Sequence, residues 1–231
     1  MFNVEKANRE PIVAIDTADR KGAYSIPGIS EVKEYGIKNN LPYSIPRYVN
    51  LNYNYVCTKY RGKHNQETWV TQINPLILAT QGFVYVEETQ HGVEGTYLVP
   101  RHPRILVAWT EAGTLKPVQR ELMGLASLQL QQAIHALNGI FISDFGLRID
   151  DNEEYQKASD EERGKIVEAY FKALKDTYDE GLKEDKNISD YVKAVAWSAE
   201  QIELSNAAEG VLPEQLQKKL NEEADKAEEQ K

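Results

Sequence analysis

Cys57 and the four histidines, His64, His91, His102 and His135, are the side chains here best suited to nucleophilic or metal chemistry. A thiol acts as a nucleophile when a base stands beside it. Cys57 instead lies within a run that reads as a β-strand, with no nucleophile motif around it, so a buried structural thiol is expected. The histidines share no ligand spacing such as i, i+4 on one helix, and three fall in expected turns, so they predict no metal site. Asp144-Phe145-Gly146 has the letters of the kinase magnesium tripeptide but none of the glycine-rich loop, strand lysine or catalytic loop that gives it meaning. Asp150-Asp151-Asn152-Glu153-Glu154 gathers carboxylates without the glycine and bidentate glutamate of a calcium loop, and reads as a solvated acidic linker. Neither a phosphate-cradling glycine loop nor a serine nucleophile elbow occurs. These residues predict no catalytic group and no cofactor.

The other unusual chemistry is recognition. From Tyr35 to Gln66 the chain has no acidic residue, while Lys38, Arg47, Lys59, Arg61 and Lys63 alternate with Tyr35, Tyr43, Tyr48, Tyr53, Tyr55 and Tyr60. Basic groups neutralise phosphates and tyrosines stack on bases, so Tyr53, Tyr55, Lys59, Tyr60, Arg61 and Lys63 form a candidate single-strand nucleic-acid surface. The competing reading makes the tyrosines strand and interface residues and pairs the cations with acidic neighbours. Tyr24-Ser25-Ile26-Pro27 recurs as Tyr43-Ser44-Ile45-Pro46. As docking segments, these would present Tyr24, Ile26, Tyr43 and Ile45, with Arg47 and Tyr48 beside them, to a groove on a partner.

The whole chain of 231 residues carries a formal charge of -9. Through residue 150 there are 15 basic and 14 acidic residues, against 12 and 22 beyond it, so the acidity belongs to the C-terminal third. The first residues lack the apolar core of a signal peptide and no run is long enough to span a bilayer, which predicts a cytoplasmic protein without a membrane partner. A single cysteine agrees with a reducing compartment.

The elements that would position these groups predict an α+β chain in three parts. Residues 1–50, broken by Pro11, Pro27, Pro42 and Pro46, read as an extended arm without long helix. Residues 51–150 read as a small antiparallel β-barrel or sandwich with one buried helix. Its strands are expected at 51–60, 67–73, 82–88, 95–99 and 104–110, separated by turns at Asn74-Pro75 and Pro100-Arg101-His102-Pro103. Val56, Trp69, Ile73, Phe83, Leu98, Ile105, Val107 and Trp109 should point inward. A helix from Thr114 to Asn138, apolar over much of its circumference, is the expected structural centre. Ile140-Phe141-Ile142 reads as a short strand. Residues 151–231 read as acidic helices, the first opened by the capping box Ser159-Asp160-Glu161-Glu162 and ending near Gly181, the others from Ser189 and Pro213, with a frayed tail.

Taken together, the arm, the acidic tail and the lack of catalytic motifs predict a non-enzymatic structural protein. It would dock on neighbouring subunits, as a homo-oligomer, in a ring, connector or other virion component. Single-stranded nucleic-acid binding is the alternative.

Overall fold

The computed structural model describes residues 2, 12–17, 26–61 and 66–184. Within them the chain is α+β, with two antiparallel sheets and a helical C-terminal region. The larger sheet has strand order β1-β2-β3-β6-β7, formed by β1 (Tyr43–Ser44), β2 (Tyr55–Arg61), β3 (Glu67–Gln81), β6 (Arg104–Glu111) and β7 (Pro117–Met123). The smaller has order β4-β5-β8, from β4 (Val84–Glu88), β5 (Tyr97–Arg101) and β8 (Leu147–Arg148). Among the described residues each sheet keeps two unpaired edge strands, so of the expected barrel or sandwich a closed barrel is not formed.

Helices fill the faces. α1 (Ile29–Lys38) and α2 (Leu125–Leu137) cover opposite sides of the larger sheet. On one side Val56, Ile105, Val107, Trp109 and Leu122 meet Leu130, Ala133, Ala136 and Leu137 of α2, together with Tyr43, Ile45 and Tyr48. On the other, Tyr55, Cys57 and Ile73 meet Ile29 and Val32 of α1, with Ile15 and Ile26. The smaller sheet rests Tyr97 and Val99 on α3 (Ile142–Phe145) and Leu98 on Val167 and Phe171 of α5 (Asp160–Glu184). A single turn, α4 (Glu153–Lys157), precedes α5. No helix among the described residues is long and apolar enough to cross a membrane.

Several expectations are corrected here. The proline-broken arm is not extended throughout, because the interval between Pro27 and Pro42 leaves room for the ten residues of α1. Gly28 opens the helix at φ 69°, Glu31 lies in its first turn and Lys38 in its last, as the helix dipole favours. Asn74-Pro75 does not end a strand: β3 runs through it with a register shift between Ile73 and Leu76. Nor does helix begin at Thr114. Residues 117–123 pair along β6 from Thr110↔Pro117 to Arg104↔Met123, and Gly124, at φ 56° and ψ -135°, delays the helix to Leu125. Pairing with β6 outweighs the helix preference of Gln119, Arg120, Glu121 and Leu122. α2 is also less enclosed than expected, with Leu125 68% exposed, and Ile140-Phe141-Ile142 leads into α3 rather than forming a strand.

Other readings hold. Val56, Ile73, Leu98, Ile105, Val107 and Trp109 are buried, whereas Trp69 and Phe83 are only half-buried. The capping box forms: Glu162 Oε2 accepts from the Ser159 N–H at 2.8 Å, and Ser159 Oγ accepts from the Glu162 N–H at 3.5 Å. α5 continues past Gly181 to Glu184. The helices expected from Ser189 and Pro213 lie outside the described residues.

Two glycines test this packing with opposite signs. A Cβ on Gly36 of α1 would stand 2.5 Å from Trp69 Cη2 and 2.9 Å from Ser44 Cβ, whereas one on Gly164 of α5 meets nothing within 4 Å. Gly36→Ala should therefore cost about 1–3 kcal/mol, and Gly164→Ala should stabilise by about 0.5–1 kcal/mol. Urea unfolding of both variants checks the pair.

Candidate functional site

The alternation of a β-hairpin places residues two apart on one face. In the β4-β5 hairpin, Val84, Val86 and Glu88 lie opposite Arg101, Val99 and Tyr97, so Glu88 and Arg101 share a face. Arg101 is 1% exposed. Its Nε donates to Glu88 Oε1 and its Nη2 to Glu88 Oε2, both at 2.8 Å, a bidentate and charge-assisted pair. The guanidinium carbon stands 5.6 Å from the centre of the Phe145 ring.

Helix α2 supplies the rest of the cluster. Arg101 Nη1 lies 3.1 Å from His135 Nδ1. A guanidinium only donates, so Nδ1 accepts and the imidazole proton belongs on Nε2. Burial, reinforced by the charge of Arg101 and by His102, pushes the His135 pKa down from 6.5 to about 3. Gln132 Nε2 donates to Glu88 Oε2 at 2.8 Å and to the Thr89 carbonyl at 3.1 Å. Gln132 Oε1 accepts from Tyr43 Oη at 2.9 Å, and that oxygen accepts in turn from Gln90 Nε2 and Tyr48 Oη, each at 3.3 Å. Burial pushes the Tyr43 phenol up to about 12. Gln131, on the same helix, holds His102: its Oε1 accepts from the His102 N–H at 3.0 Å and its Nε2 donates to the His102 carbonyl at 2.7 Å. The result is a closed network in which both Glu88 oxygens and His135 Nδ1 are already engaged.

Of the residues singled out in the sequence, Tyr43, Tyr48, His102 and His135 join this network and the others fall elsewhere. Ile26, Tyr43, Ile45, Arg47 and Tyr48 are buried within the chain and do not form an exposed docking surface. Their apolar area closes the two cores, and Arg47 Nε donates at 2.6 Å to the Leu137 carbonyl at the end of α2. Tyr24 and Lys63 lie outside the described residues. In the nucleic-acid set, Tyr55 is fully buried, with its hydroxyl on the Pro27 carbonyl at 2.9 Å, and Tyr53 and Tyr60 are half-buried. Lys59 meets Asn40 Oδ1 at 3.2 Å and Glu67 at 3.3 Å. Arg61 ends β2. Burial pushes the Cys57 thiol up to about 11, and its Sγ contacts Thr71 Oγ1 at 3.3 Å. Asp144 caps α3 by accepting from the Phe141 N–H at 2.8 Å, while Asp150 and Asp151 pair with Arg148. Glu88, Arg101 and Gln132 drew no attention in the sequence. The one local signal was the adjacent pair Gln131-Gln132 within the largely apolar helix α2.

Breaking the ion pair should be costly. Arg101→Met leaves a buried carboxylate without its partner and should lose about 3–5 kcal/mol, and adding Glu88→Met should recover much of that loss. A double-mutant cycle in urea measures the coupling. Folding also keeps His135 neutral, so between pH 6.5 and about 3 the unfolded chain binds the extra proton. The stability from this group is complete above pH 6.5 and is lost as pH falls through that window, by on the order of 5 kcal/mol. His135→Gln, whose amide oxygen still accepts from Arg101, should remove that component of the pH dependence.

No family model matches the chain, and no curated protein matches it in sequence. Solved structures match it in shape. A probable peptide deformylase from Synechococcus phage S-SSM7 is 18% identical with a TM-score of 0.53, the match covering 59% of this chain and 90% of that one. The class I type b peptide deformylase of Acinetobacter baumannii is 16% identical with a TM-score of 0.51, over 60% and 89%. The peptide deformylase of Synechococcus elongatus, in complex with actinonin, is 19% identical with a TM-score of 0.53, over 66% and 80%. The expectation of a non-enzymatic ring, connector or virion subunit, with its nucleic-acid-binding alternative, is corrected by this likeness, because the architecture recurs in enzymes. Peptide deformylases are metalloenzymes. The residues described here do not fit a metal: no three His, Cys, Asp or Glu side chains gather among them. Where a helix-borne metal site has two histidines at i, i+4, α2 offers Gln131 with His135 and Gln132 with Ala136. What this chain shares with the peptide deformylases is their fold.

Proposed function

We propose that the chain is a deformylase-like protein that takes an extended peptide along the outer edge of β4. The likeness in shape to peptide deformylases, proteins whose name states an action on peptides, carries this reading. The sheet order supports it. β4 pairs with β5 on one side and ends the smaller sheet on the other, so its outer N–H and C=O groups have no strand partner among the described residues. An edge of this kind accepts an added strand through main-chain hydrogen bonds, with alternate side chains setting specificity. Val84 is 37% exposed and Glu87 is exposed, while Glu88 enters the buried cluster. A peptide laid on β4 would run toward α2.

Isothermal titration with an N-formylated methionyl tripeptide and with its free-amine counterpart tests the proposal, with formate release followed in the same samples. Binding is expected at a dissociation constant between roughly micromolar and millimolar. Val84→Lys, which places a charge on the edge without touching the core, should weaken it about fivefold. Absence of binding by both peptides at about 5 mM would overturn the reading.

A further inference from the structure

We infer that the fixed positive charge between β5 and α2 is the Arg101 guanidinium, and that this chain holds no resident divalent metal there. The inference concerns the centre of the fold and stands whether or not β4 takes a peptide.

A protein site for zinc or a related cation needs three or more ligands with free lone pairs: thiolate, neutral imidazole or carboxylate. Beside Arg101 stand two such residues, Glu88 and His135, and both are committed; His102, nearby, donates its Nδ1–H to the Gly82 carbonyl at 2.7 Å, and no three such side chains gather into a metal site among the described residues. Glu88 Oε1 accepts from Arg101, and Glu88 Oε2 from Arg101 and Gln132. His135 offers Arg101 its Nδ1 lone pair, and the remaining ring nitrogen carries the proton. The helix positions next to them are amide or methyl: Gln131 is spent on His102, Gln132 on Glu88 and Tyr43, and Ala133 and Ala136 have no donor atom. Cys57 belongs to the core on the other face of the larger sheet, with its thiol kept protonated by burial.

Charge points the same way. Arg101 is neutralised by one carboxylate, so the cluster has no spare negative charge to offset a dication. A cation entering beside the guanidinium would be repelled and would have to displace the bidentate pair. Loss of Arg101 from Glu88 would leave a buried guanidinium with no anion. Metal binding and the observed hydrogen bonds therefore exclude one another.

The test uses the full chain, expressed with zinc, iron(II) and nickel(II) supplied in turn, dialysed and analysed for metal by mass spectrometry. Fewer than about 0.1 ions per chain are expected. Zinc, nickel or EDTA at about 1 mM should shift the melting temperature by less than about 1 °C. One equivalent of any of these metals, or a melting temperature that falls with EDTA, would overturn the inference. A second measurement uses Arg101→Lys, which keeps the charge while losing the bidentate geometry. This variant should also purify without metal, and stoichiometric metal in it would equally overturn the inference. The peptide titration above is a separate measurement, so either proposal can fail alone.

Discussion

A guanidinium at 1% exposure has left water behind, and its desolvation is offset only by good geometry and complete hydrogen bonding. Glu88 supplies the geometry through two parallel bonds at 2.8 Å. Nη1 donates to His135, and the second acceptor site on Glu88 Oε2 goes to Gln132. These bonds tie the β4-β5 hairpin to α2 at one rotational setting, because shifting the helix by one residue would bring Ala133 or Gln131 where Gln132 stands. The network continues through Tyr43 to Gln90, whose Oε1 accepts from the Ile142 N–H at the start of α3. One buried charge thus fixes the hairpin, both helices and the segment at Tyr43. Its contribution is to specify this arrangement, since an ion pair in the core adds little net stability over apolar packing.

That segment explains the stretch without acid. Its tyrosines are large enough to close the cores: Tyr43 and Tyr48 face α2, and Tyr55 faces α1. Two of its cations find partners inside the chain. Arg47 meets the carbonyl end of α2, where the helix dipole is negative, and Lys59 meets Glu67 across the β2-β3 pair. A helix end attracts a cation without any acidic residue, so the imbalance of charge along the sequence does not require phosphate or an acidic partner subunit. Tyr43 and Ile45 behave in the same way, as strand and core residues of their own domain rather than ligands for another.

Local features were legible in the sequence. β-Branched and aromatic runs marked five strands, and Ser159 with Glu162 marked the start of α5, because these signals depend on neighbours a few residues apart. Positions where a distant partner decides were not legible. β7 has a helix-like composition and becomes a strand because β6 is there to pair with it. α1 was hidden by prolines on both sides of it. The cluster was hidden for the same reason of distance: Arg101 lies 13 residues from Glu88 and 34 from His135, while Gln132 lies 44 from Glu88. Nothing in Pro100-Arg101-His102-Pro103 announces a buried ion pair, and the turn reading was the natural one. Gln131 and Gln132 carry a local signal of their own, since two amides on the inner face of a helix require partners.

The same division separates the fold from its chemistry. An architecture is specified by many apolar positions, each replaceable by a side chain of similar volume, so a shape can be shared at 16–19% identity. A polar centre is specified by a few residues that depend on one another. If one member of the Glu88, Arg101, Gln132 and His135 set is lost, a buried charge or amide is left unsatisfied, so such a centre changes as a set or stays as it is. A metal site obeys the same rule with a different set: several anionic or neutral donors around a cation, with no guanidinium among them. The two solutions cannot be mixed, because the lone pairs that would hold the metal are the ones that hold Arg101. The likeness to peptide deformylases therefore stops at the architecture, and the centre of this chain is an arginine-centred set of its own.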